Sequence, residues 1–153
     1  MHHQRVFVLC RRSILMPTLF LVTFGITRGD EATDAKAVTV AFLKLTDQED
    51  VEGAYRMAGE QLRNAAPKAE TIAGLKKWFA VKGGAASSRE IVLQRAYSEP
   101  EANAAFPQVK IKGSLYIFRY KSKYPNGTFF EDLYVSRDSD KVLRINGHLP
   151  QPA

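Results

Sequence analysis

At Gly83-Gly84 the spacing of apolar residues changes from about 3.6 to 2, and this change constrains the fold more than any other feature of the chain. Before the glycines the pattern is helical. Over residues 35–45, Val38, Ala41, Phe42 and Leu45 recur at three- and four-residue steps, which predicts a helix buried on one side. "TDQEDVEGAYRMAGEQL" predicts a second helix, with Thr46 and Glu49 in capping-box spacing and Val51, Ala54, Tyr55, Ala58 and Leu62 on one stripe. Pro67 suits the first turn of a third helix in which Ile72, Leu75, Trp78 and Phe79 share a face, and the two glycines stop it.

After the glycines the chain reads as strands. "REIVLQRAY" alternates, and in "GSLYIFRYKSKY" Tyr116, Phe118 and Tyr120 fall on one side while Leu115, Ile117, Arg119, Lys121 and Lys123 fall on the other. Pro125-Asn126-Gly127 is a turn: proline presets the first corner, and Asn-Gly tolerates positive φ. A long antiparallel hairpin of 116–124 with 128–137 follows, then a turn in "RDSDKV" and a last strand in "VLRINGHL". "SEPEANAAFPQ" is read as a long loop. The fold class is therefore α+β, with three N-terminal helices packed on a curved four-stranded antiparallel sheet.

The first 27 residues stand apart, with Arg5, Arg11 and Arg12, no acid, and the apolar run "ILMPTLFLVTFGI" interrupted by Pro17. Such a run is shorter than the roughly 17 to 25 residues that span a bilayer as a helix. Residues 1–27 are expected to be a cleaved signal peptide, and 28–153 a single domain that is periplasmic or secreted. Arg11-Arg12 also fits a twin-arginine signal, and Cys10 precedes the apolar run where a lipid-modified cysteine would follow it.

Composition then excludes several chemistries. Without Arg5, Arg11 and Arg12 the 22 basic residues become 19 against 16 acidic ones, so net charge drops from +6 to +3. That argues against nucleic acid as a partner. Residues 28–153 hold no cysteine and one histidine, His148. Disulfides, thiolate nucleophiles and Cys/His zinc sites are excluded there, and no cofactor or metal is implied. About 125 residues can still bury one apolar core.

Several stretches together resemble a known family: "LTDQED", "AYRMAGEQLR", the helix containing Trp78, Arg89 opening the first strand, and "FFEDLYVSRDSDKVLRINGHL". Over residues 34–149 the chain resembles the small exported bacterial proteins of the domain of unknown function 4019 family, a branch of the nuclear transport factor 2-like, or cystatin-like, cone fold. It departs from that family at Leu143, where tryptophan is frequent, and at His148, where an aromatic residue is. The resemblance implies a cone-shaped fold and export but no activity, because that family is itself uncharacterised. Enzymes of the wider fold use Asp, His or Tyr as acid and base in a pocket between helices and sheet.

On the residues themselves, a catalytic reading needs an inward-facing titratable group. Glu131 shares a face with Phe129, Leu133 and Val135, whereas Asp132 is in phase with Phe130 and Tyr134, so one of the two carboxylates faces an apolar side. Its simplest fate is an ion pair with Arg89, Arg95, Arg119 or Arg144. The expected function is a non-catalytic exported binding or accessory domain. It holds a small apolar ligand against Tyr55, Trp78, Phe79, Tyr116, Phe118 and Tyr120, or an anionic envelope partner on the face of Arg119, Lys121 and Lys123. The alternative is a cofactor-free acid/base enzyme of isomerase or lyase type, with Glu131 or Asp132 acting beside Tyr55 or His148. A homodimer through the outer sheet face is a third expectation.

Overall fold

A computed structural model of the chain describes residues 28–153, and the expected signal peptide lies outside the described residues. The architecture is α+β: four helices, then a four-stranded antiparallel sheet in the order β1-β2-β3-β4, with a fifth helix inserted after β1. None of the described helices is long and apolar enough to cross a membrane.

The first helix, α1 (Arg28–Asp47), buries Ala35, Thr39, Phe42, Leu43 and Thr46, a stripe rotated from the expected one so that Ala41 faces outward. Two threonines are tolerated there because their hydroxyls donate to carbonyls three residues back: Thr39 to Lys36 at 2.7 Å and Thr46 to Leu43 at 2.8 Å. Thr46 is thus the end of α1 and not the cap of the next helix. That cap is Asp50, whose carboxylate accepts from Gly53 N at 2.8 Å to start α2 (Val51–Arg56).

The expected second helix is broken in two, which makes four helices before the sheet where three were expected. Residues 57–59 leave the helical path to pair with the last strand: Gly59 N donates to Ile145 O at 2.7 Å, and Ile145 N donates to Met57 O at 3.1 Å. Gly59 is needed because a Cβ there would sit 2.1 Å from Asn146 Oδ1. The chain then resumes as α3 (Glu60–Ala65), held at its first turn by Asp138 Oδ2 on Glu60 N and Asn146 Oδ1 on Gln61 N, both 3.0 Å. Pro67 caps α4 (Lys68–Lys82), and Gly83 ends it in the left-handed region, with its N–H on Phe79 O at 3.1 Å.

In the sheet, β1 (Ser88–Tyr97) pairs with β2 (Leu115–Tyr124), β2 with β3 (Gly127–Arg137), and β3 with β4 (Leu143–Pro152). Pro125 and Asn126 form the hairpin turn, where Gly127 alone takes positive φ. Irregularities at Ile91/Leu93 and Tyr134/Val135 introduce the extra residues that bend antiparallel strands. One sheet face lays Tyr116, Phe118, Tyr120, Leu133, Val135 and Ile145 against Ala35, Phe42, Leu43 and Ala54, and these residues form the main core.

The expected loop after β1 contains α5 (Glu99–Ala105), started by Ser98 N donating to Glu101 Oε2 at 2.8 Å. Asn103 clasps both backbone groups of Ile111 at 2.9 Å, tying the following segment to this helix. Ala102 and Ile111 cover Leu115 and Ile117, so these two are buried although they share the outer face with the exposed Lys121 and Lys123.

Candidate functional site

The face pattern of β3 separates the two carboxylates. Asp132 turns to the outer face, where Arg119 grips it with Nε at 2.6 Å and Nη2 at 2.7 Å. Glu131 turns inward and is fully buried. Its Oε1 accepts from Ser122 Oγ at 2.6 Å and Tyr124 Oη at 2.8 Å, and its Oε2 lies 3.2 Å from His148 Nε2. Arg89 Nε stands 3.7 Å from Oε1.

Arg89 extends this arrangement. Its guanidinium forks onto Asp47 at 2.5 and 2.7 Å and donates to Tyr124 Oη at 2.8 Å. A polar chain therefore runs from the end of α1 through Arg89, Tyr124 and Glu131 to His148. Burial alone would push the Glu131 carboxyl up, but the hydrogen bond and charge of His148, with Ser122 and Tyr124, outweigh it and hold the group below its ordinary value. Burial, then the Glu131 charge, pushes the Tyr124 phenol well up, so it stays a donor.

Beyond His148 opens a cavity of about 390 Å³ between α2, α3, α4 and β4, with Phe42 of α1 at its base. Its walls include Leu62, Leu75, Trp78 and Pro150, with Tyr55, Glu70, Thr71 and His148 as polar members. The His148 ring stands edge-on to Phe42 and Trp78, with centroids 5.2 and 6.3 Å apart. The Trp78 indole N–H is buried without a hydrogen-bond partner among the described residues.

Of the residues expected to hold a ligand, Tyr55 and Trp78 line this cavity together with His148. Phe79 packs with Trp78 in a neighbouring cluster, while Tyr116, Phe118 and Tyr120 fill the main core, where Tyr120 Oη meets Thr39 Oγ1 at 2.5 Å. On the outer face Lys121 and Lys123 are exposed, and Arg119 is occupied by Asp132. No three His, Cys, Asp or Glu among the described residues are placed to hold a metal ion.

Sequence reasoning missed several contributors. Phe42 and Gly74 reach the cavity from helices whose faces are set only by packing, and Ser122 was hidden among the strand's alternating polar residues. Lys82 was also missed: it is fully buried, donates to Gly84 O at 2.6 Å and lies over the Phe79 and Tyr124 rings, with burial holding its ammonium below the ordinary value. A lysine in the last turn of a helix before two glycines carries no signal for such a position. Comparison of the chain with protein-family models, curated proteins and solved structures gives no match.

Proposed function

We propose that the protein is an exported, periplasmic or secreted accessory domain that binds a small, largely apolar ligand in the cavity between α2–α4 and β4, without acting on it chemically. The single observation that carries this reading is the pairing of a mostly apolar cavity of about 390 Å³ with a fully engaged carboxylate behind it. Ligand cavities run from roughly 300 to 1,000 Å³, with a few polar groups among apolar walls. A catalytic carboxylate is tuned toward neutrality, whereas Glu131 is held the other way by four polar neighbours. The helices laid on one face of an antiparallel sheet support a nuclear transport factor 2-like cone as the finer description of the fold.

Trp78 is the only tryptophan of the chain, so its emission reports on the cavity directly. Titration with octanol is expected to give a saturable one-to-one change, abolished in Gly74→Leu, which projects a side chain from the cavity wall. A linear, unsaturable response in both proteins contradicts the reading.

A second reading, the cofactor-free acid/base enzyme, is favoured by one observation: His148 lines the cavity with Tyr55 while Glu131 orients its ring. It requires a bound molecule to be chemically altered by the wild type and unaltered by His148→Gln. An anionic envelope partner on Lys121 and Lys123, or a second copy on the outer face, is a further role compatible with the first reading. Loss of binding to an anionic glycan in the Lys121→Glu/Lys123→Glu variant, and light scattering across concentrations, test these.

A further inference from the structure

A second cavity, about 380 Å³, lies on the other side of the β4 edge, between α3 and the segment after α5. It is walled by Phe106, Val109, Leu115 and Leu149, with Gln61 and Asn146 as polar members. Along β4, Pro150 lines the first cavity and Gly147 and Leu149 the second, as strand alternation places them, while His148 touches both. Leu62 and His148 belong to both walls, so the two spaces adjoin at these two residues. Leu62 sits on α3, a six-residue helix with no buried residue of its own.

We propose that the two cavities form one elongated site, bent over the edge of β4, for a single-chain amphiphile whose alkyl chain passes Leu62 and His148. This rests on the ligand-binding reading above and gives it a ligand class. A chain molecule matches two apolar spaces of similar size joined at one narrow wall, where a compact ring system fills only one. An added peptide strand is the other conceivable occupant of a sheet edge, but the edge is poorly suited to it. Ala153 N donates to Thr128 O at 3.1 Å, so by alternation the nitrogens of Pro150 and Pro152 face the open side and have no hydrogen to give.

The experiment is competition native mass spectrometry of the full exported chain with octanol and hexadecanol. The wild type is expected to bind hexadecanol at least about tenfold more tightly, the gain from burying about two further methylenes. Leu149 is 58 % exposed, so Leu149→Asp leaves the fold intact while placing a charge at the second cavity. It is expected to weaken hexadecanol about tenfold and octanol by less than about twofold. Equal affinities for the two alcohols, or hexadecanol binding indifferent to Leu149→Asp, overturns the two-cavity site while leaving the single-cavity reading intact. Binding of neither alcohol removes both, and a peptide retained on the purified protein in place of an alkyl chain overturns the ligand class.

Discussion

Glu131 and His148 meet diagonally across β3 and β4, with Nε2 3.2 Å from Oε2, two residues off the directly opposed pairs Glu131↔Pro150 and Leu133↔His148. The diagonal lets a fully buried carboxylate reach the ring that walls the cavity. Structure and site are therefore tied through one charge. Removing that charge leaves Ser122, Tyr124 and His148 without their shared acceptor, while Arg89 keeps Asp47, and Glu131→Ala is expected to cost about 3–5 kcal/mol, the range for breaking one side of a buried pair. Glu131→Gln keeps the shape and part of the hydrogen bonding, so urea denaturation should place it between Glu131→Ala and the wild type.

Acid dependence follows from the same group. Its folded-state pKa lies below the ordinary 4.5, so the ionised form is favoured by folding. The stability it contributes is complete above the unfolded value and is lost as pH falls through the folded one. The gap in urea midpoint between wild type and Glu131→Gln should thus be widest at neutral pH and narrow on acidification below 4.5. A gap independent of pH from neutrality to strong acid contradicts the ionised assignment.

Gly74 lies in α4 with nothing within 4 Å of where a Cβ would stand. Gly74→Ala should therefore stabilise the protein by about 0.5–1 kcal/mol through restriction of the unfolded chain. Thermal unfolding checks the sign. Gly59 is the opposite case, its Cβ position lying 2.1 Å from Asn146 Oδ1, and Gly59→Ala should cost about 1–3 kcal/mol by overpacking.

Asp138 is a buried clamp between the hairpin end and α3: it accepts from Glu60 N at 3.0 Å, Arg144 Nη1 at 3.0 Å and Asn146 Nδ2 at 3.2 Å. Asp138→Ala should release the first turn of α3. Amide hydrogen exchange at Glu60 and Gln61 is expected to quicken more than at β2 amides, whereas uniform acceleration across the sheet would indicate global destabilisation instead.

The strands were legible because alternation and the Pro125-Asn126-Gly127 turn are local signals, and the opposite facing of Glu131 and Asp132 follows from period two alone. The breaks were not. Nothing near Ala58 announces that residues 57–59 will pair with Ile145, a partner far along the chain. The short α5 is mostly polar and alanine, so it lacks an apolar stripe, and without it nothing separates Leu115 and Ile117 from the charged residues Arg119, Lys121 and Lys123 on the same side of β2. Aromatic residues of β2 resembled pocket walls for a similar reason: alternation says that Tyr116, Phe118 and Tyr120 face inward, but only helix placement decides whether core or cavity meets them.

Native mass spectrometry of the protein purified from an exporting host, beside Gly74→Leu from the same host, tests ligand binding in the cavity most directly. The account expects the wild type to carry an added mass of a small organic molecule and Gly74→Leu to travel as the bare chain. A bare wild-type chain, or an added mass retained equally by both, would contradict it.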